Sequence, residues 1–467
     1  AAAGIQAYIF DDIRPTPELS FAVRHLGCIA GINITASHNP AQYNGYKAYW
    51  SDGAQLPTRE SDIVSSIIKT IDIFDGVRFV PFDEGVASGL IRVIGRDVDE
   101  PYLNYVLSLV HDPETVAQSD MLVIYSPFHG AGYKLVPEAL GRIGVKKLVC
   151  EPRQSIPDGD FPTVKSPNPQ DIEGFADSIT LAREQNADLI IGTDPDADRL
   201  AAVARDADGE FRALTGNQLG CLLLEHVINV RREKGLMPAH PAMIKSIVST
   251  DMARVIAEKN GVFCADVFTG FKNIAEKIAE FEKGSTYEMI FAFEESNGYM
   301  SGSGCRDKDG VNAALLTVEM AARYRARGMT LHDGLRELYA KYGCYREETL
   351  NFVMPGIDGL ADMKKLMASL HQNPPATLGS YPVETVVDYL SGVSTQLASG
   401  ESTKIALSGS DVICLRTPQG DSFVIRPSGT EPKVRNYIMI SGPDADACAK
   451  KAEIFLSAAQ KIMENKG

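Results

Sequence analysis

Short apolar segments rich in β-branched residues alternate with helical stretches over the first three-quarters of this 467-residue chain. The strand "MLVIYS" is followed by a helix near 134–142 and by the strand "KKLVC". The same form, a strand that ends in a polar loop, recurs in "ADLIIGTDPDADR", "AMIKSIVST" and "EMIFAFEESNGY". Such alternation is typical of layered α/β domains, whose functional loops lie at the carboxyl ends of the strands. The chain is too long for one core, and we expect roughly three or four domains.

The composition changes at two places and again in the last quarter. Residues 234–243 read as a linker and residues 371–382 as a second loop-rich stretch. Beyond them, short strands joined by turns precede a closing amphipathic helix with an apolar face that includes Cys448 and Phe455. The sequence therefore predicts a multi-domain α/β protein, with three related mixed α/β layered domains and a smaller α+β domain at the C-terminus.

The composition is that of a globular protein, with 44% apolar and 23% charged residues and a formal net charge of −15. This charge argues against general affinity for nucleic acid or for anionic membranes, and no segment has the length of a membrane span. An acidic protein that binds anions must concentrate positive charge in a cleft or bring a metal. The start lacks the form of a secretory signal. The eight cysteines occur singly, which predicts small buried thiols and a cytoplasmic location.

Three carboxylates alternate along the segment Asp194-Pro195-Asp196-Ala197-Asp198-Arg199. In a tight loop two such charges about 4 Å apart repel by roughly 4 kcal/mol at an effective dielectric of 20. A divalent cation removes that cost, and oxygen ligands suit Mg²⁺, Mn²⁺ or Ca²⁺. An EF-hand is excluded because its sixth position is Arg199 and its twelfth is Arg205. A solvated acidic turn is the alternative.

A serine occupies a stiff turn in "TASHNP", which follows the apolar segment "CIAGINI". The strand must end there, because Pro40 has no N–H and biases the residue before it away from helix. Taken alone, the turn needs no more than Ser37 and Asn39 bonding to the local backbone.

Three further loops carry polar groups. The segment "RPSGTEPKVR" combines Arg426 with hydroxyls and glycine-exposed amides, which suits a phosphate cradle; a basic hairpin turn is the alternative. Glu294 and Ser296 in "FEESNGYM" suit neighbouring sugar hydroxyls, although helix capping is an equal alternative for this loop. Lys272 follows a Thr-Gly turn in "TGFKN", and His129 in "PFHGAG" is expected to be structural, with a place in the cleft as its alternative. Together, the serine turn, the carboxylate loop, the sugar-type loop and the phosphate cradle indicate transfer of a phosphoryl group on a phosphosugar through a phosphoserine.

The segments "TASHNPAQYNGYK", "GTDPDADRLA", "FEESNGYM" and "RPSGTEPK" resemble, in this order, the four signature loops of the α-D-phosphohexomutase superfamily. The wording "NPAQYNGYKAYW" and "TGNQLG" is similar to the phosphoglucomutase branch, which also contains phosphopentomutases. The resemblance implies four domains around a central cleft, with one loop from each. On this basis we expect a phosphoserine domain at 1–112, a metal-binding domain at 113–233, a sugar-binding domain at 234–345 and a phosphate-binding domain at 346–467.

The resemblance also assigns roles to individual residues. It implies Ser37 as the phosphorylated serine, and Asp194, Asp196 and Asp198 as ligands of one Mg²⁺ per chain, with the serine phosphate as a further ligand. It implies Lys47, Arg199 and Lys308 as catalytic residues near the reacting centre. The expected substrate-binding residues are His38, Thr269, Gly270, Lys272, Glu294, Ser296, Arg426, Ser428, Gly429, Thr430 and Arg435.

These assignments predict a cytoplasmic phosphoglucomutase, a monomer or homodimer, with glucose 1,6-bisphosphate as its intermediate and activator. Lys47 would be the base for the attacking hydroxyl, and clustered cations would lower its pKa. A phosphomannomutase, a phosphopentomutase or an inactive phosphosugar-binding fragment are the alternatives. Family members carry a segment with an arginine loop before the phosphoserine strand. Because only 36 residues precede Ser37, we expect the phosphoserine domain to be N-terminally incomplete in this sequence.

Overall fold

A computed structural model describes residues 1–355, 358–428 and 432–464 of the chain. The helices are α1 Thr16–His25, α2 Thr58–Ile68, α3 Phe82–Ala87, α4 Arg96–Ser108, α5 Pro113–Gln118, α6 Gly132–Arg142, α7 Ala176–Gln185, α8 Gly216–Glu233, α9 Asp251–Lys259, α10 Phe271–Gly284, α11 Gly310–Ala326, α12 Leu331–Tyr342, α13 Gly359–Gln372 and α14 Ala445–Glu464, with a 3₁₀ turn at Ile172–Phe175.

The strands of the first three-quarters of the chain are β1 Ala7–Phe10, β2 Ala30–Ile34, β3 Tyr46–Trp50, β4 Ile91–Ile94, β5 Leu122–Ser126, β6 Lys147–Cys150, β7 Leu189–Thr193, β8 Leu200–Arg205, β9 Phe211–Ala213, β10 Pro241–Ser246, β11 Phe263–Val267, β12 Glu288–Glu294 and β13 Gly298–Met300. The later strands are β14 Cys344–Val353, β15 Thr377–Leu378, β16 Tyr381–Pro382, β17 Thr385–Asp388, β18 Val393–Gln396, β19 Ser402–Lys404, β20 Ile413–Arg416, β21 Ser422–Pro427 and β22 Lys433–Gly442.

The chain divides into two compact units. The first unit contains Ala1–Lys245, Asn260–Ala265 and Gly270–Gly334. The second contains Ser246–Lys259, Asp266–Thr269 and Leu335–Gly467.

Three groups of strands belong mainly to the first unit. Near the N-terminus β1 pairs with β4 in parallel, and β2 pairs with β3 as an antiparallel hairpin. A five-stranded sheet has the order β6-β5-β7-β8-β9, and a four-stranded sheet has the order β11-β10-β12-β13. In each larger sheet parallel strands lie beside an antiparallel edge. Strands β5 and β7 are continuous apolar runs and lie almost wholly buried, as expected for strands covered on both faces.

Each of these sheets sends a polar loop out of the end of a buried strand. The chain leaves β7 into the acidic segment 194–199 and returns along β8, while β12 ends at Glu294 and returns along β13. Helix α8 begins at a capping box in "TGNQLG", where Thr215 and Gln218 bond each other's backbone N–H groups. The helices and sheets therefore fix the loops that the sequence singles out.

The second unit is built on a seven-stranded sheet of order β14-β22-β21-β20-β17-β18-β19, in which every neighbouring pair is antiparallel. Helices α13 and α14 cover one face and contribute Leu366, Leu370 and Phe455 to a core with Phe423 and Ile438. The closing helix therefore buries its apolar face against the sheet, as predicted.

The predicted fold class is confirmed, with mixed α/β layers followed by a C-terminal α+β unit. The linker at 234–243 is shorter than expected because β10 already begins at Pro241, and the stretch 371–382 contains the small hairpin of β15 and β16. The four domain boundaries stay a prediction. In the described part of the chain, no helix is both long and apolar enough to cross a membrane. All eight cysteines lie in the described residues and none of them forms a disulfide; Cys28 and Cys150 are half-buried and the other six are buried.

Candidate active site

Ser37 lies in the loop that joins β2 to β3. Its φ of 57° places the backbone in the left-handed region, which is uncommon for a residue other than glycine and costs on the order of 1–3 kcal/mol. The Ser37 N–H donates to Thr35 Oγ1 at 2.8 Å, which holds this conformation. The half-buried side chain has Oγ 3.1 Å from His38 Nδ1, and burial together with Arg199 lowers the pKa of His38 to about 4. The serine is therefore held in a strained turn beside a neutral imidazole.

The segment Asp194–Arg199, which we call the aspartate loop, follows β7. Asp194 and Asp198 are fully buried, Asp196 is 4% exposed, and one carboxylate oxygen from each lies within 4.8 Å of the others. Burial, Asp198 and Asp196 raise the pKa of Asp194 well above its usual range. Burial opposes the charge of Asp198 as well, but neighbouring cations hold its pKa below the usual range.

Three cations face these carboxylates. Lys47 Nζ lies 2.7 Å from Asp196 Oδ2 and 2.6 Å from Asp198 Oδ2. Lys308 Nζ lies 3.0 Å from Asp198 Oδ2, and Arg199 Nε is 3.8 Å from Asp194 Oδ2. The structure thus brings together all the residues expected near the reacting centre.

The expected direction of the Lys47 pKa is wrong. Burial does oppose its charge, but Asp196 and Asp198 outweigh burial and raise the pKa of Lys47 well above its usual value. The physical reason is distance, because the two carboxylates contact the ammonium directly.

The three aspartates fit a divalent cation. Asp194 Oδ2, Asp196 Oδ1 and Asp198 Oδ1 are buried, and no described residue forms a hydrogen bond with any of them. Buried carboxylate oxygens without partners are costly, whereas hard divalent cations prefer oxygen ligands. Lys47 binds the other oxygens of Asp196 and Asp198, so each of these two carboxylates offers one oxygen to the lysine and one to an ion.

Asp307 is a site residue that the sequence reading missed. This carboxylate is 1% exposed and accepts hydrogen bonds from Tyr49 Oη at 2.6 Å and Gln55 Nε2 at 2.7 Å. It also accepts from the Lys308 backbone N–H at 2.8 Å and lies 3.3 Å from Lys308 Nζ. Tyr49 lies on β3 with Lys47, so Asp307 connects the strand of one lysine to the other lysine. Asp307 precedes Lys308 in the segment 305–310, "CRDKDG", but only tertiary contacts distinguish it from an acidic residue on the surface.

The sugar-type loop lies in the first unit beside Lys308. Glu294 ends β12, and its Oε1 accepts the Gly270 N–H at 2.6 Å. Burial, followed by the adjacent Glu295, raises the pKa of Glu294 to about 7. Ser296 lies half-buried in the turn between β12 and β13, and Lys272 Nζ donates to Thr58 Oγ1 at 2.8 Å. Gly270 and Glu294 are therefore in direct contact, whereas Lys272 points to an exposed partner.

The predicted phosphate cradle belongs to the second unit. Arg426 on β21 pairs in register with Arg435 on β22, and its Nη1 donates to the Thr269 hydroxyl. Arg426 Nε is buried and has no hydrogen-bond partner among the described residues, so it could donate to an anion. The Ser428 N–H donates to Lys433 O at 2.7 Å. The remaining predicted cradle residues, Gly429 and Thr430, lie outside the described residues.

Comparisons with known proteins agree with this arrangement of strands and loops. Residues 1–73, 100–209 and 215–342 match the families described as phosphoglucomutase/phosphomannomutase, alpha/beta/alpha domains I, II and III. The fold and these three domain matches place the chain in the α-D-phosphohexomutase superfamily.

A phosphoglucomutase of Staphylococcus aureus (strain MRSA252) is 37% identical over 453 residues, which cover 97% of this chain and 80% of that protein. The phosphoglucomutase of strain N315 is 36% identical with the same coverage. The chain therefore belongs to the phosphoglucomutase/phosphomannomutase family.

Solved structures show the same fold. The open form of the Paramecium phosphoprotein pp63/parafusin, a phosphoglucomutase, has a TM-score of 0.68 at 16% identity and covers 98% of this chain and 83% of that one. A phosphoglucomutase/phosphomannomutase family protein from Burkholderia thailandensis has a TM-score of 0.67 at 18% identity, with coverage of 99% and 84%.

Proposed function

We propose that this protein interconverts glucose 1-phosphate and glucose 6-phosphate through a phosphorylated Ser37 and glucose 1,6-bisphosphate. One observation carries the proposal. Thr35 Oγ1 accepts the Ser37 N–H at 2.8 Å and donates to Asp196 Oδ2 at 3.2 Å, so a single hydroxyl joins the strained serine to the aspartate loop. A phosphoryl group on Ser37 Oγ would therefore lie close to these carboxylates and to their cations.

The proposed reaction has two half-reactions. In the first, O6 of glucose 1-phosphate attacks the phosphorus, the O6 proton passes to a base, and the bond to Ser37 Oγ breaks as Oγ takes up a proton. The bisphosphate then turns over so that its C1 phosphate faces Ser37. In the second, Ser37 Oγ gives up its proton and attacks the phosphoryl group at C1 of the bisphosphate, and the C1 oxygen takes up a proton and leaves as the hydroxyl of glucose 6-phosphate. Transfer of this kind depends mainly on positioning and charge stabilisation. Lys308 and Arg199 would bind the equatorial phosphoryl oxygens, and Lys47 is the candidate base.

The base assignment for Lys47 needs its two carboxylates to be neutralised, because they now raise its pKa. We propose Mg²⁺ as the cofactor, bound by Asp194, Asp196 and Asp198 through the oxygens that lack partners. When bound, the ion supplies charge stabilisation to the transferring phosphoryl group. Glu294 and Ser296 would bind sugar hydroxyls, with His38, Gly270 and Lys272 beside the substrate. Arg426, Arg435, Thr269 and Ser428 would bind the phosphate that does not react.

The experiment compares Ser37→Ala with Ser37→Gly in purified protein supplied with Mg²⁺ and a catalytic amount of glucose 1,6-bisphosphate. Both substitutions remove the hydroxyl, and glycine also removes the strain of the left-handed backbone. We expect both variants to lose several orders of magnitude of turnover, whereas Ser37→Gly should unfold at the same or a higher temperature than Ser37→Ala. The wild type should carry phosphate on the peptide that contains Ser37.

Near-normal turnover in either variant would disprove the serine assignment. Wild-type protein that binds the bisphosphate without turnover would favour a binding fragment instead. The same assay with mannose 1-phosphate and ribose 1-phosphate distinguishes the related mutase activities. The cytoplasmic location and the oligomeric state stay predictions.

A further inference from the structure

The loop Pro127–Gly132, which joins β5 to α6, contains two consecutive residues in the left-handed region. Phe128 has a φ of 46° and His129 a φ of 62°, and the two side chains are 0% and 4% exposed. Each such conformation costs on the order of 1–3 kcal/mol and persists only where the surroundings enforce it. We call this segment the HGAG loop. Its unusual backbone conformation must be stabilised by contacts with other parts of the chain.

His129 holds that shape. Its Nδ1 lies 2.9 Å from Ile156 O and its Nε2 lies 2.8 Å from Thr163 Oγ1. Its backbone N–H donates to Gln154 O at 2.8 Å, and its carbonyl accepts the Asp158 N–H at 3.1 Å. Both ring nitrogens and both backbone groups are thus engaged with the segment 154–163. The ring is structural, as the sequence reading expected.

The HGAG loop packs closely against the aspartate loop. A Cβ atom at Gly130 would lie 2.2 Å from Pro195 Cα, a distance that the backbone does not tolerate. The Ala131 N–H donates to Pro195 O at 2.6 Å. A Cβ atom at Gly132 would lie 2.8 Å from Thr193 Oγ1, just before the same loop. Pro195 is the residue between Asp194 and Asp196, so the HGAG loop supports the backbone that joins these two carboxylates.

The aspartates need such support. Asp194 and Asp196 are buried neighbours, and when both are ionised, as cation ligands are, their mutual repulsion favours separation. On the other side of the loop the Gly310 N–H donates to Ala197 O at 3.1 Å, and a Cβ at Gly310 would lie 2.5 Å from that oxygen. The backbone of the aspartate loop is therefore fixed from two sides.

We propose that the HGAG loop, pinned by His129, is a positioning element that holds Asp194 and Asp196 in the geometry a divalent cation requires. The inference rests on the proposed cation site of this family member. Groups that orient metal ligands typically change metal affinity by about 10- to 100-fold when they are altered. The contacts of Gly130 and Ala131 with the aspartate loop are made to the backbone of Pro195, so the effect of the HGAG loop should appear in cation affinity before any substrate is added.

The test measures the dissociation constant of Mn²⁺ by electron paramagnetic resonance, together with the thermal midpoint of each variant. Gly130→Ala introduces the clash with Pro195 directly, and its matched control is Gly141→Ala, where a Cβ meets nothing within 4 Å. Thr163→Val removes the partner of His129 Nε2, and its matched control is Val164→Ala, a buried neighbour in the hydrophobic core. We expect Gly130→Ala to weaken Mn²⁺ binding at least tenfold and Thr163→Val at least threefold, with both controls within twofold of wild type.

The outcomes separate the inference from the proposed function. Wild-type protein that does not bind Mn²⁺ would overturn the cation site and this inference with it. A wild type that binds, together with a folded Gly130→Ala that binds equally well, would overturn the inference alone. If Gly130→Ala does not fold, the Thr163→Val variant decides between the outcomes. The inference would be overturned if Thr163→Val had the same Mn²⁺ dissociation constant as Val164→Ala at a similar thermal midpoint.

Discussion

Asp307 provides a quantitative test of how the site is held together. This buried carboxylate accepts one hydrogen bond from Tyr49 on β3 and one from Gln55, and its other oxygen serves Lys308. Tyr49 is fully buried, and burial followed by Asp307 raises its pKa well above the usual value, so it stays a phenol that donates. Asp307→Asn keeps the shape but supplies an amide group that cannot accept from both sides.

The expected cost follows from the number of donors that lose an acceptor. A hydrogen bond to a charged group contributes about 1.5–3 kcal/mol, and an unsatisfied buried donor costs about 1–3 kcal/mol. Tyr49→Phe removes one donor to Asp307. In Asp307→Asn the NH₂ group must face either the donors of Tyr49 and Gln55 or the two donors of Lys308, and the donors that it faces lose their acceptor. The pair Tyr49→Phe and Asp307→Asn should therefore couple by about 1.5–3 kcal/mol in a double-mutant cycle.

The assay is hydrogen exchange of peptides that cover β3, which reports the local free energy of opening. The matched control is the pair Tyr133→Phe and Asp12→Asn, followed on peptides that cover α6, because Tyr133 Oη donates to Asp12 Oδ2 at 2.7 Å on the exposed surface. Its coupling should be about 0–1 kcal/mol. A coupling between Tyr49 and Asp307 below about 0.5 kcal/mol, or one no larger than that of the control pair, would refute the view that Asp307 joins β3 to Lys308.

Two further predictions concern the substrate loops. The raised pKa of Glu294, about 7, means that its contribution to stability is fully present below its ordinary value of 4.5 and is lost as the pH rises through about 7. Glu294→Gln should therefore flatten the pH dependence of the thermal midpoint between these two pH values, and an unchanged pH dependence would contradict the raised pKa. The same variant should lower kcat/KM for glucose 1-phosphate more than for ribose 1-phosphate. An unchanged ratio of the two kcat/KM values would contradict the role of Glu294 in sugar binding. Arg426→Ala, which removes the partner of Thr269, should lower kcat/KM by roughly ten- to 150-fold in both half-reactions, measured as transfer from phosphorylated enzyme to glucose 1-phosphate and to glucose 6-phosphate. A loss with only one of these two acceptor sugars would show that Arg426 binds the substrate in only one of its two orientations.

Much of the fold could be predicted because its signals are local. Apolar runs such as β5 and β7 are too short for helices and end in polar loops. The sequence therefore predicts both that they are strands and at which end their functional loops lie. The closing helix carries its core face at helical spacing. The sequence predicts a linker as far as residue 243 because Pro241 reads as a linker residue. In the sheet Pro241 occupies the first position of β10, where its missing N–H is tolerated.

The site could be predicted only as far as residue types and loops. The aspartate loop and the serine turn follow from spacing, but the left-handed backbone of Ser37 depends on a hydrogen bond to Thr35 that no pattern specifies. Asp307 was missed for the same reason, since its partners Tyr49 and Gln55 lie more than 250 positions away in the chain. Tertiary contacts, and not the local sequence, decide which acidic residue is buried.

The raised pKa of Lys47 shows that negative charge outweighs positive charge around this lysine. With every group ionised, the four buried aspartates and three cations of the site sum to a formal charge of −1; they are Asp194, Asp196, Asp198, Asp307, Lys47, Lys308 and Arg199. A divalent ion alone would make the site positive, and a serine phosphate alone would add about −1.5 to −2. The two together restore nearly the original charge, so each should favour the other. Because coupling between two ligands is reciprocal, phosphorylated wild-type protein should bind Mn²⁺ more tightly than Ser37→Ala. Equal dissociation constants for the two forms would show that the serine phosphate and the cation do not share one charge-balanced site.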